Sequence, residues 1–129
     1  MGIQRREMIM TAAAVVTGAG AIARGEEGGG MYGLIGRMQA APGQREVLLA
    51  LLLEGSGGMP GCLSYVVARD PQDPDGIWIT EVWDSAQSHK ASLSLPQVQA
   101  AIAKARPIIA GFSDSHETAP VGGIGLPVK

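Results

Sequence analysis

The sequence predicts an α+β domain: one antiparallel sheet in the order strand–helix–strand–strand–helix–strand, with the helices on one face. Two strand-like runs, Cys62–Arg69 and Ile77–Asp84, are joined by the turn-forming DPQDPDG (Asp70–Gly76), which makes an antiparallel hairpin. A helix-forming run, Gln44–Glu54, precedes the hairpin, and a second helical stretch follows it. Further apolar segments at Met31–Gln39 and Ile108–Glu117 supply the outer members of the pattern.

Each element has a local cause. Met31–Gln39 (MYGLIGRMQ) mixes apolar residues with glycine and reads as the first strand. Ala41-Pro42-Gly43 breaks it, with Pro42 suited to a helix entry. QREVLLALLLE has strong helix formers and an unbroken apolar stretch from Val47 to Leu53, so the helix is expected to be buried on more than one side. GSGGMPG (Gly55–Gly61) stops it. CLSYVVAR alternates loosely, placing Leu63, Tyr65 and Val67 opposite Cys62, Ser64, Val66 and Ala68. IWITEVWD is the strongest strand signal, with Ile77, Ile79, Glu81 and Trp83 on one face and Trp78, Thr80 and Val82 on the other. Ser85 is a natural N-cap for a helix through His89 to about Leu93. Pro96 opens a helix over Gln97–Arg106 that Pro107 ends. This order is the ferredoxin-like βαββαβ arrangement. Both faces of the hairpin strands are apolar, whereas a sheet covered on one side should show a polar free face, so a second copy of the chain is expected to cover it.

The ends read differently. Met1–Ala23 holds the pair Arg5-Arg6, an apolar run from Met8 and the small-residue site Ala21-Ile22-Ala23, the parts of an export signal of twin-arginine type. The alternative is an apolar N-terminal helix that stays on a cytoplasmic protein. The run is too short and too rich in Gly and Ala for a stable membrane span. Residues 24–30 (RGEEGGG) form a flexible linker, 31–118 the folded domain and 119–129 a flexible Gly/Pro-rich tail. The 129 residues carry a formal charge of −2. Removal of 1–23 would leave eight basic residues against eleven acidic ones, a charge of −3, which disfavours nucleic acid as a partner. Hydrophobic residues at 46% and charged ones at 17% exclude a disordered chain. Cys62 is the single cysteine, so there is neither an internal disulfide nor a cysteine-based zinc cluster, and no His/Asp/Glu group has metal-ligand spacing. GSGGMPG lacks the Gly-Lys-Ser/Thr ending of a phosphate loop and follows a helix, and GAGAIARG follows no strand.

The chemistry points to three residues. Glu81 is a carboxylate among Ile77, Ile79 and Trp83, so it must be hydrogen-bonded, paired or protonated. It is either a functional acid/base or a structural carboxylate tied to a loop or to Arg37. His89 follows on the next helix, either as an acid/base at a pocket mouth or as an exposed residue beside Ser88 and Lys90. Tyr65 could lend its hydroxyl to a pocket or pack in the core. His116, in SDSHET, is expected in solvent, and Met59 and Cys62 are expected to fill space.

Together, Pro42-Gly43, then Pro60-Gly61-Cys62-Leu63-Ser64-Tyr65, Arg69-Asp70, Asp73-Pro74, Glu81-Val82-Trp83 and His89 resemble the antibiotic biosynthesis monooxygenase family of dimeric α+β barrel proteins, from Met31 to about Glu117. The acidic residue usual before Pro-Gly is Met59 here, and the His-x-x-Ser stretch stands as His89-Lys90-Ala91-Ser92. The resemblance implies a ferredoxin-like protomer, a homodimer built sheet to sheet into an α/β barrel, and a pocket between sheet and helices. It also implies oxygenation of a phenolic, hydroquinone or polycyclic aromatic small molecule with O₂ and without a bound cofactor. Mapped onto this chain, Glu81 and His89 are the catalytic candidates, and Trp83 and Tyr65 hold the substrate. Two alternatives stay open, a non-catalytic binding module and an isomerase-type relative. The Asn–Trp–His set of the family's haem-degrading members has no counterpart: Gly36 stands at the Asn position, and neither Ser85–Leu93 nor Gln97–Arg106 contains Trp.

Overall fold

The computed structural model describes residues 30–127; the expected export signal and all but the last residue of the linker lie outside them. Four strands, β1 (Tyr32–Ala40), β2 (Cys62–Arg69), β3 (Gly76–Trp83) and β4 (Ile109–Thr118), form one sheet in the order β2-β3-β1-β4, all neighbours antiparallel. The helices are α1 (Arg45–Gly55), α2 (Ala86–Ser92) and α3 (Pro96–Ala105), the last followed by a 3₁₀ turn over Arg106–Ile108. This is the ferredoxin-like α+β fold with its elements in the expected order, each boundary within a residue or two of the sequence reading.

The core lies between the sheet and the helices. From β1 come Leu34 and Met38, from β3 Ile77, Ile79 and Trp83, from α1 Leu48 and Leu52, and from α3 Val98 and Ile102, all buried. Burial of these side chains drives folding, each contributing about 1.5–3 kcal/mol. The expectation that α1 is buried on more than one side is not met: Leu48, Leu49 and Leu52 face the core, while Val47 and Leu53 are 51% and 56% exposed. The apolar run is longer than the stripe that one packed helix face can bury.

The hairpin turn is held from two sides. Arg37 of β1 donates from Nε to Asp70 and from Nη2 to Asp73, each at 2.9 Å. Arg45 of α1 donates from Nη1 to the carbonyl of Asp73 at 2.8 Å. Arg37 is thus committed to the turn, and its neighbour Met38 faces the core, so Arg37 does not pair with Glu81. Both aspartates are held below the ordinary carboxylate range, chiefly by backbone N–H donors in the turn and then by Arg37.

Pro60-Gly61 has a geometric cause. Gly61 has φ +83°, and its carbonyl accepts from Asp84 N at 2.9 Å, which docks the start of β2 against the entry to α2. A Cβ there would lie 2.4 Å from Ser88 Oγ and 2.8 Å from Asp84 Oδ1. Gly61→Ala should therefore combine left-handed strain with a clash and cost about 2 kcal/mol, a fall of roughly 10 °C in melting temperature by calorimetry.

Candidate functional site

Alternation along β3 brings Glu81 and Trp83 to the helix side, two residues apart on one face. Trp83 Nε1 donates to Glu81 Oε1 at 2.8 Å, both side chains buried. Glu81 is 2% exposed, and no salt bridge among the described residues reaches it. Burial pushes its carboxyl up to about 8, opposed only by the indole hydrogen bond. The carboxyl is therefore mostly protonated at neutral pH and titrates close to it.

His89 is brought over this pair by α2. Ser85 caps that helix, its hydroxyl accepting from Ser88 N at 3.1 Å, and the helix turns back over the end of β3. The imidazole is 4% exposed and lies between two rings, its centroid 5.5 Å from Trp83 at 72° and 5.5 Å from Tyr32 at 39°. Burial lowers its pKa to about 4, so it is neutral at physiological pH. Its Nε2 is buried with no hydrogen-bond partner among the described residues. The exposed alternative for His89 is excluded; His116 is exposed, as its surroundings suggested.

Tyr65 pairs with Glu81 in register and shares its face, partly buried against the core. Burial first, and then the Glu81 carboxylate, raise its hydroxyl well above the ordinary phenol value. One face assignment changes. The β2–β3 register shifts between Cys62 and Ser64, so two residues of β2 there span one of β3, and Cys62 pairs with Trp83. Cys62 therefore joins Tyr65 on the helix side instead of opposing it. Its thiol is pushed up to about 11 by burial and then by Glu81, so it is an unreactive wall. Met59 is buried in the core, filling space as expected.

Two residues of the cluster were not foreseen. Tyr32, at the start of β1, donates its hydroxyl to Glu117 Oε2 at 2.5 Å. Leu34 of β1 pairs with Glu81 on one side and Glu117 on the other, which sets the two carboxyls on one sheet face, flanking the central strand. Tyr32 carried a signal, since it shares the parity of Leu34 and Met38. Glu117 did not. Phe112 and Glu117 both pair with inward residues of β1 although they are five apart, because the β1–β4 register slips between Arg37 and Met38.

The site is thus a buried carboxyl, a neutral imidazole, two phenols, an indole and a thiol, lodged between the sheet and α2. No group of His, Cys, Asp and Glu among the described residues could hold a metal ion. No described helix is long and apolar enough to cross a membrane.

A four-stranded β2-β3-β1-β4 sheet with this cluster on its helix face defines an α+β protein of the ferredoxin-like class. The chain belongs to the antibiotic biosynthesis monooxygenase family, whose model matches residues 31–104. A crystal structure from Chloroflexus aurantiacus J-10-fl, provisionally named antibiotic biosynthesis monooxygenase, is 69% identical, covers 75% of this chain and 99% of its own, and superposes with a TM-score of 0.74. A protein from Caulobacter crescentus CB15 with the same provisional name is 24% identical over 72% of this chain and 92% of its own, with a TM-score of 0.62. One from Nitrosomonas europaea is 13% identical over 73% and 90%, at 0.60. These last two share the fold. No match was found among the curated proteins. Membership supports a monooxygenase-type role in general.

Proposed function

We propose that the chain is a monooxygenase that oxidises a phenolic, hydroquinone or polycyclic aromatic small molecule with O₂, using no bound cofactor. The observation that carries this reading is the buried Glu81–Trp83 pair beside a neutral His89 on the same face. Glu81, with its pKa raised to about 8, is a base matched to a weakly acidic phenol. It takes the hydroxyl proton, and the electron-rich anion passes one electron to O₂. The resulting substrate radical and superoxide combine, forming a carbon–oxygen bond. The peroxide so formed is protonated, and the carbon that bears it loses its hydrogen as a proton. The C–H electron pair makes the C=O bond as the O–O bond breaks, releasing water and leaving the second oxygen atom as a carbonyl in the product. His89 offers Nε2 to a substrate oxygen, and Trp83 and Tyr65 hold the ring. Exclusion of water strengthens each of these contacts.

Oxygen-electrode measurements with hydroquinone and with an anthrone test the proposal. One O₂ consumed per molecule oxidised and, for the anthrone, one atom of ¹⁸O₂ in the product are expected. Binding without oxygen consumption would show a non-catalytic binding module instead.

The working form we propose is a homodimer joined through the outer sheet face. There Val66 is 53% exposed, and Trp78, Val82 and Ile35 are half-buried in the single chain. With roughly 800 Å² buried per protomer, the dimer should persist at micromolar concentration. Sedimentation should then give twice the single-chain mass, and a single-chain species alone would exclude it. Export is the proposed location: the protein recovered from its host should begin near Arg24, and a retained Met1 in the cytosolic fraction would refute the signal.

A further inference from the structure

The two rings that enclose His89 are each tied at their polar tip to a carboxyl. Trp83 on β3 is held by Glu81, and Tyr32 on β1 by Glu117 on β4. The tethers stand on either side of Leu34, and the imidazole lies between them with Nε2 buried and lacking a partner among the described residues. We infer that Tyr32 and Glu117 are positioning residues, a second tether that fixes the orientation of His89 so that Nε2 meets the bound ligand.

The physical need is clear from α2. It is a seven-residue helix, and its inward grip is His89 and Ser92. Ser92 Oγ donates to the carbonyl of His89 at 2.6 Å, which ties backbone to side chain within the helix but leaves the imidazole free to turn about its own bonds. The ring is then oriented by what it packs against. Trp83 meets it nearly edge-on and Tyr32 at a tilt. Tyr32 is buried in the core at the first residue of its strand, and the 2.5 Å bond from its hydroxyl to Glu117, on the neighbouring strand, fixes the polar tip of the ring and joins β1 to β4 at the same point. Of the titratable groups, Tyr32 from β1 meets the ring directly, Glu81 from β3 is bonded to Trp83 and Glu117 from β4 to Tyr32, and Lys90 is exposed on its own helix; the lowered pKa of His89 comes from burial.

The inference rests on the proposed ligand site, so the test separates the two. The imidazole of His89 is followed by nitrogen NMR in the ligand-free protein and then during titration with hydroquinone under nitrogen gas, where no turnover occurs. Tyr32→Phe and Glu117→Ala should each let water reach the imidazole, raise its pKa by about one unit and weaken hydroquinone binding about tenfold. The double variant should go no further than Tyr32→Phe alone, because the bond between the two residues is already broken there. Glu117→Gln, whose amide oxygen still accepts from Tyr32, should stay close to the parent. Leu52→Ala, which opens a cavity in the core at α1 and leaves both tether bonds in place, should lower the melting temperature without moving the His89 titration. A His89 titration unmoved in Tyr32→Phe and Glu117→Ala, or moved equally in Leu52→Ala, would overturn the inference. So would unchanged hydroquinone affinity in variants whose imidazole has moved. A parent protein that fails to bind hydroquinone would instead count against the proposed function, and the ligand-free titration would still decide the tether.

Discussion

Glu81→Gln should reduce oxygen consumption with hydroquinone about a hundredfold or more at pH 7.5, the scale for losing an acid/base group, while the melting temperature changes little. The second half of this expectation comes from the geometry. Glu81 makes no ion pair among the described residues, and its hydrogen bond comes from Trp83 Nε1, which the glutamine oxygen accepts equally well. With a carboxyl titrating at about 8, the folded protein at neutral pH holds mostly the neutral acid, and glutamine has its shape. Removing a buried charge partner would cost 3–5 kcal/mol, but here no such partner is left behind. The parent rate should also climb as pH rises through about 8, as Glu81 loses its proton and becomes a base, and the variant should lack that limb. A variant that melts early yet turns over normally when folded would refute the catalytic role.

The strand IWITEVW made much of this site legible. Period-two alternation alone puts Ile77, Ile79, Glu81 and Trp83 on one face, and a carboxylate in that company has few ways to exist. Ser85 as N-cap fixed the start of α2 and so brought His89 within one helical turn of the strand end. What sequence could not supply was the identity of the partners. Arg37 seemed available to Glu81 by residue type, but parity sends it to the opposite face, where Asp70 and Asp73 hold it. Cys62 and Glu117 escaped because each lies beyond a register slip, and a slip of one residue reverses every face assignment past it. The contact of Tyr32 with His89 joins residues 57 positions apart through the packing of a short helix on the sheet, which no local pattern encodes.

The same two buried groups should dominate the pH dependence of stability near neutrality, with opposite signs. Glu81 rises from its ordinary 4.5 to about 8 on folding, so between those values the folded chain keeps a proton that the unfolded chain has lost. Its contribution is fully present below 4.5 and declines as pH rises to 8. His89 falls from 6.5 to about 4, so between those values the unfolded chain holds the extra proton, and stability from this group grows until pH 6.5. From about pH 4.5 to 6.5 the two slopes, each close to 1.4 kcal/mol per pH unit, largely cancel. From 6.5 to 8 only Glu81 is left, and stability should fall by about 2 kcal/mol. Asp70, Asp73 and Glu46, all held below their ordinary values, lose their contributions on the acid side and leave this window untouched. Urea titrations at half-unit pH intervals should therefore show a plateau and then a decline in the parent. In Glu81→Gln stability should rise to 6.5 and then stay level. In His89→Gln it should decline steadily from 4.5 to 8. A parent profile as flat above pH 6.5 as that of Glu81→Gln would mean that Glu81 is ionised in the folded protein, and the buried-acid account of the site would fail with it.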